Sequence, residues 1–313
     1  MLLKSNIIAL LFSLLAFIAQ SQNTLIPGAA QFSAYLPALK GKQVALVVNH
    51  TSVVGKTHLA DTLLALGVSV KKIFAPEHGF RGTADAGAHI ENEVDKKTGL
   101  TLISLYGKHK KPTSDDLQGI DVVLFDIQDV GARFYTYSST LHYVLEACAE
   151  NKVPLTVLDR PNPNGHYVDG PVLEKAQSSF VGLNPIPVVH GCTLGELARM
   201  INGEGWLANH VKAELNVIPV AHYTHAAPVH VAIAPSPNLP NDQSIALYPS
   251  LCLFEGTNVS IGRGTDLQFQ VAGTNMAGLG DYTFTPAPKP GAMDPPLKGQ
   301  TCYGYNLSSI PAR

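Results

Sequence analysis

The stretch Asp126-Ile127-Gln128-Asp129-Val130-Gly131-Ala132-Arg133-Phe134-Tyr135-Thr136-Tyr137 places two acids, an amide, an arginine and two tyrosines side by side. Carboxylates and amides such as Asp126, Gln128 and Asp129 bind sugar hydroxyls, and the rings of Tyr135 and Tyr137 offer flat apolar faces. Arg133 can grip a carboxylate through two parallel hydrogen bonds. Any one of these residues alone is equally a solvated loop residue, and Asp129 can instead cap backbone amides at a helix start. As a group they point to a ligand site.

A second cluster is Pro76-Glu77-His78-Gly79-Phe80-Arg81-Gly82. A carboxyl partly desolvated beside Phe80 holds its proton more tightly and can act as a general acid. The alternative, weighed equally on spacing alone, is a Glu77–Arg81 pair that only holds the loop. His78 can orient Glu77 or bind a hydroxyl, and Asn49 stands in a similar polar cluster, Asn49-His50-Thr51. Asp159-Arg160-Pro161-Asn162-Pro163-Asn164-Gly165 forms a rigid turn from which Asp159 and Asn162 can bind a ligand or support those that do, although an Asx-turn role is as natural. Further on, glycine-bordered loops carry Glu255, Asn258, Arg263 and Asp266. If these loops close over the first cluster, Glu255 comes to face Glu77 or Asp126, and two carboxyls flanking one bond is what glycosidic cleavage needs.

Such clusters act together only if the fold converges them. Each cluster before residue 166 follows a short apolar run: Val44–Val48, Ile73–Ala75, Leu102–Leu105 (which leads into Tyr106-Gly107-Lys108), Val122–Phe125 and Leu155–Leu158. Continuous apolar runs separated by helical stretches predict a parallel sheet covered on both faces. Ligands of open α/β sheets sit beyond the carboxyl ends of the strands, where all these clusters fall. Between the runs, Thr57 is the expected cap of a helix Leu59–Leu66 closed by Gly67. A second helix is expected over Ser138–Glu150, and a capping box at Thr193–Glu196 starts a third. Leu215–Ile218 reads as one more strand, stopped by Pro219. The fold class is therefore α/β, a Rossmann-like domain over residues 22–228 and a smaller, irregular α+β domain over 229–313, with the active site in the cleft between them.

Residues 1–21, with Lys4 before the apolar run Ile7–Ala19 and small residues at Ala19 and Ser21, have the form of a cleavable secretory signal. The run is too short for a permanent span, so we expect an exported, periplasmic or secreted protein with no stable membrane anchor. The formal net charge of −2 and the absence of a basic block disfavour a nucleic-acid partner. Cys148, Cys192, Cys252 and Cys302 show no metal-site spacing, and His50, His78 and His89 lack a defined zinc motif, so neither metal nor cofactor is expected. Gly55-Lys56-Thr57 imitates the end of a phosphate-binding loop, but His50 stands where that motif needs glycine. The sequence carries no signal for oligomeric state.

Taken together, Pro76–Gly79, Phe125–Tyr137, Leu158–Pro163 and Cys252–Asn258 resemble the exo-β-N-acetylmuramidases of the NamZ type, over about Val44 to Tyr303. The resemblance implies a glycosidase that removes N-acetylmuramic acid from non-reducing ends of peptidoglycan fragments in cell-wall turnover or recycling. It also implies Glu77 as a catalytic acid, with Asp126, Asp129 or Glu255 as its partner. A cation at Arg81, Arg133 or Arg263 would recognise the lactyl carboxylate of muramic acid. Family members continue past Arg313 and carry a tryptophan-bearing insertion before Pro235-Ser236-Pro237-Asn238, so the second domain is expected to be cut short. The rival class is a periplasmic sugar- or muropeptide-binding protein without catalysis. An esterase or amidase is weaker, because no Gly-x-Ser-x-Gly elbow occurs.

Overall fold

The computed structural model describes residues 24–77, 79–80 and 93–311. The expected signal segment 1–21 therefore lies outside the described residues, as do His78, Arg81 and His89.

The chain runs α1 (Phe32–Leu39), β1 (Gln43–Val48), β2 (Val53–Val54), β3 (Thr57–His58), α2 (Leu59–Ala65), β4 (Ser69–Ala75), β5 (Glu93–Val94), β6 (Thr101–Ser104), α3 (Ser114–Leu117) and β7 (Val122–Asp126). It continues through α4 (Tyr137–Asn151), β8 (Leu155–Leu158), α5 (Leu194–Gly203) and β9 (Leu215–Ile218). Seven strands form one sheet in the order β5-β6-β4-β1-β7-β8-β9. All of its pairings are parallel except β5 with β6. The sheet is thus mixed and not wholly parallel as expected, because the two-residue edge strand Glu93–Val94 carries no apolar run that could have announced it.

Alternation within the apolar runs explains the layering. Ala45 and Val47 of β1 face one side, where Leu141, Val144 and Leu145 of α4 and Leu197 and Ile201 of α5 complete a core. Val44, Leu46 and Val48 face the other side, against Tyr35 of α1 and Leu59 and Leu63 of α2. Every other residue of a strand points to the same face, so a fully apolar strand is what two covered faces demand.

The helix α2 departs from expectation at its start. Thr57 lies in the β2–β3 ribbon, and His58 caps the helix, its Nδ1 accepting the Ala60 N–H at 3.2 Å. Gly55 takes a positive φ of 62° at the turn of that ribbon, which accounts for the glycine without a phosphate. The capping box at Thr193 forms as expected, with Glu196 reaching back to the Thr193 N–H at 2.8 Å.

Beyond residue 228 come α6 (Asp242–Leu251) and the antiparallel sheet β10-β12-β11, built from β10 (Val271–Thr274), β11 (Tyr282–Phe284) and β12 (Cys302–Asn306). Ile245, Tyr248 and Leu251 of α6, with Phe269, belong to the same apolar core as α4 and α5. Tyr248 meets the rings of Phe134 and Tyr135 edge-on at 5.5 and 5.7 Å. Asn164 fastens the two parts, its Nδ2 donating to the carbonyls of Val130 (2.9 Å) and Ile245 (3.1 Å).

Candidate active site

β4 ends at Ala75, and Pro76 turns the chain so that Glu77 stands half-buried at the carboxyl edge of the sheet. Thr136 Oγ1, from the connection after β7, donates to Glu77 Oε2 at 3.1 Å. The Tyr106 hydroxyl, just past β6, stands close enough to the same carboxyl to feel its charge. Burial, then the neighbouring Glu77 carboxyl, push the Tyr106 phenol up to about 12, so it stays protonated. Hydroxyls from two separate connections thus flank one carboxyl group, and that of Thr136 orients it.

On the Thr136 side the floor is closed. Asn49 Nδ2 donates to the Tyr137 hydroxyl at 2.9 Å, while Asn49 Oδ1 accepts from Thr51 N and Oγ1 at 2.9 and 2.6 Å. The rings of Tyr137 and Tyr135 meet at 4.9 Å, and the Tyr135 hydroxyl donates to the carbonyl of Pro235 at 2.8 Å. Burial raises both phenols, and the charge of Glu77 raises Tyr137 further. These tyrosines are neutral supports, buried beneath the surface that a ligand would touch.

The other acids of this edge have distinct fates. Asp126 is fully buried, and the Arg160 guanidinium takes both of its oxygens, Nε to Oδ1 at 2.5 Å and the second nitrogen to Oδ2 at 2.9 Å. Its carboxylate is committed to an ion pair. Asp129 Oδ2 accepts the Gly131 N–H at 2.7 Å, the local amide-capping role that spacing allowed. Among the described residues its Oδ1 is buried without a hydrogen-bond partner, and so is Nε2 of His190, which lies 3.8 Å from Oδ2. Asp159 faces the start of α5, accepting from Thr193 Oγ1 (2.6 Å) and Gly195 N (2.9 Å). Burial lifts its carboxyl to about 6 despite those hydrogen bonds.

Most of the expected binding side chains build the loops themselves. Gln128 donates to the carbonyls of Asp129 and Pro161, both at 2.8 Å. Asn162 donates to the Cys192 carbonyl at 2.9 Å and packs so closely on Gly131 that a Cβ there would lie 2.2 Å from its Oδ1. Arg133 donates to the carbonyls of Pro171 (2.8 Å) and Ile186 (2.5 Å), tying down the excursion between them. In the C-terminal part Glu255 is exposed and paired with Arg263 at 2.6 Å, and Asn258 is exposed beside them. Asp266 pairs with Lys289.

Among the described residues no three His, Cys, Asp or Glu side chains converge as metal ligands. Cavities of about 540 and 620 Å³ lie at the amino ends of β1 and β4 and between Pro163 and α6, neither lined by Glu77. The site is therefore defined by chemistry at the strand ends. Sequence reasoning passed over Thr136, which offered only a hydroxyl among stronger groups, and His190, a lone histidine after Pro187-Val188-Val189. Tyr106 carried a signal, its place directly after an apolar run, that could have found it.

An α/β sheet with an oriented carboxyl and hydroxyls at its carboxyl edge has the layout of a small-molecule site in this class of fold. The description "Exo-beta-N-acetylmuramidase NamZ, N-terminal" matches residues 44–243 and its C-terminal counterpart matches 246–312, so the chain belongs to the NamZ exo-β-N-acetylmuramidase family. It is 44% identical over 248 residues to the peptidoglycan β-N-acetylmuramidase NamZ of Bacillus subtilis (strain 168), an alignment covering 76% of this chain and 58% of that protein. The chain thus spans little more than half the length of that curated relative. Crystal structures of two DUF1343 family proteins from Bacteroides fragilis NCTC 9343 share the fold. One has a TM-score of 0.85 at 49% identity, covering 92% of this chain and 78% of its own; the other has 0.80 at 32%, covering 91% and 80%.

Proposed function

We propose that this protein is an exo-acting glycoside hydrolase that releases N-acetylmuramic acid from the non-reducing ends of peptidoglycan fragments, in cell-wall turnover or recycling. Glu77 carries the reading: it is the half-buried acid at the sheet edge, held by the Thr136 hydroxyl with that of Tyr106 beside it, inside the span that matches the family. Glu77 acts as general acid on the glycosidic oxygen. Its closest rivals among the expected acids are engaged elsewhere, Asp126 with Arg160 and Glu255 with Arg263. Export to the periplasm or the medium fits a cell-wall substrate and rests on the form of residues 1–21.

The test is turnover of a chromogenic muramic-acid β-glycoside by the wild type and by Glu77→Gln. The wild type should release the chromophore, and the variant should lose activity by roughly 100-fold or more, the usual contribution of a general acid. A folded wild type that binds the glycoside without cleaving it would instead support a sugar-binding protein.

A further inference from the structure

Glu77 has two unlike flanks. Toward Thr136 and Tyr137 the side chains are buried, whereas Tyr106, on the β6 side, is only half-buried and leads outward. The Tyr106 ring meets that of Phe180 at 6.4 Å, and Phe180 lies nearly parallel to Tyr143 of α4, 9° between planes with centroids 6.2 Å apart. Lys110 Nζ sits 4.5 Å from the Phe180 centroid. A run of three rings with a cation beside it therefore begins at the carboxyl group of Glu77.

Phe180 is an unusual residue for its place. Ser179 and Gly182 exchange two backbone hydrogen bonds, of 2.9 and 3.0 Å, which makes Phe180-Val181 the central pair of a tight turn. Turn tips ordinarily carry glycine, asparagine, aspartate or serine, for conformational and hydrogen-bonding reasons that phenylalanine and valine do not meet. Val181 is 58% exposed, so its place at the tip is not explained by core packing. Arg133 holds the base of the excursion through Pro171 and Ile186, which gives the hairpin a fixed seat. Lys108 and Lys110 make no ion pair among the described residues, unlike Lys111, which binds Glu146 and Glu150 at 2.7 Å each.

We propose that Tyr106, Phe180 and Tyr143, with Lys110 beside them, form the leaving-group subsite, the rings receiving the sugar released from muramic acid and the lysine receiving carboxylates carried further along the fragment. The inference rests on Glu77 being the general acid. A general acid protonates the leaving oxygen, so the departing sugar lies beside it, and among the described residues the less buried flank is the one at Tyr106. The apolar face of a pyranose stacks on aromatic rings, and an unpaired lysine supplies the charge that an acidic peptide seeks.

The experiment compares kcat/KM for three substrates: N-acetylmuramyl fluoride, whose leaving group has no ring; a disaccharide of N-acetylmuramic acid on N-acetylglucosamine; and that disaccharide extended by a muramic acid bearing an acidic peptide. Phe180→Ala should lower the disaccharide-to-fluoride ratio roughly three- to tenfold, the worth of an aromatic contact, and Phe180→Tyr should restore it. Lys110→Ala should lower the ratio of the peptide-bearing substrate to the plain disaccharide by roughly two- to fivefold, an effect that salt removes. Unchanged ratios in Phe180→Ala would overturn the subsite. If the wild type cleaves neither the fluoride nor the disaccharide, the hydrolase reading itself fails, and the subsite with it.

Discussion

Nε2 of His190 faces Oδ2 of Asp129 across 3.8 Å, and neither that nitrogen nor Asp129 Oδ1 has a hydrogen-bond partner among the described residues although both are buried. The Cys192 N–H points at His190 Nδ1 from 3.2 Å, so Nδ1 accepts and the ring proton sits on Nε2, toward the carboxylate. The pair lies behind Tyr135 and Tyr137, whose phenols both feel the Asp129 charge. An incompletely satisfied buried acid costs stability, while its hydrogen bond to the Gly131 N–H fixes the loop.

Removing the acceptor should therefore hurt more than removing the charge. Asp129→Ala leaves the Gly131 N–H without its partner and should cost about 1–3 kcal/mol in urea unfolding, whereas Asp129→Asn keeps a carbonyl oxygen there and should cost less. Equal losses in the two variants would show that the Gly131 hydrogen bond is not what matters.

Arg160 and Asp126 should behave as an inseparable pair. Arg160→Met strands a fully buried carboxylate and should destabilise the protein by roughly 3–5 kcal/mol. Adding Asp126→Asn to that variant should recover part of the loss, because the stranded charge is gone. A double-mutant cycle read by chemical denaturation measures the coupling, and strict additivity would contradict the pairing.

Asp159 gives a pH signature of defined sign. Its folded carboxyl titrates at about 6, above the ordinary aspartate value of about 4, so the folded state binds the proton more tightly than the unfolded one. The stability that this group contributes is full below about pH 4 and is lost as pH rises through about 6. In Asp159→Asn that pH-dependent term disappears. Its stability deficit relative to wild type should accordingly shrink between pH 4 and pH 7, by roughly 1–3 kcal/mol, in denaturant unfolding at the two pH values. A deficit that grows over this range would mean that the carboxyl is not raised.

Gly131 combines a φ of +78° with the close approach of Asn162. Gly131→Ala should be destabilised by more than about 1 kcal/mol, since both the backbone conformation and the space oppose a methyl group. Thermal unfolding against Gly203→Ala, a helical site with nothing within 4 Å of its added Cβ, separates this strain from a general effect of replacing glycine.

The sheet was readable because strands covered on both faces must be apolar throughout, as Val44–Val48 and Val122–Phe125 are. The place of the polar clusters followed from the same logic. Which way each side chain turns did not, because its partner comes from a distant part of the chain. Asp126 looks as available as Glu77 until Arg160, from the next strand's connection, closes on it. Arg133 looks like a carboxylate grip until the carbonyls of Pro171 and Ile186 are seen beside it. His58, capping α2 in place of Thr57, shows the limit at short range: an imidazole nitrogen can accept an amide as a hydroxyl does, and the neighbouring ribbon decides which residue stands at the helix start.

Asn164 holds with one amide group the carbonyl of Val130, in the loop under the acids, and that of Ile245, in the first helix of the smaller part. The halves are therefore not modular. Expressing the smaller part alone would strip the Ile245 carbonyl of its donor, expressing either part alone would leave an aromatic seam open to aggregation, and swapping the smaller part between relatives would require matching both surfaces at once.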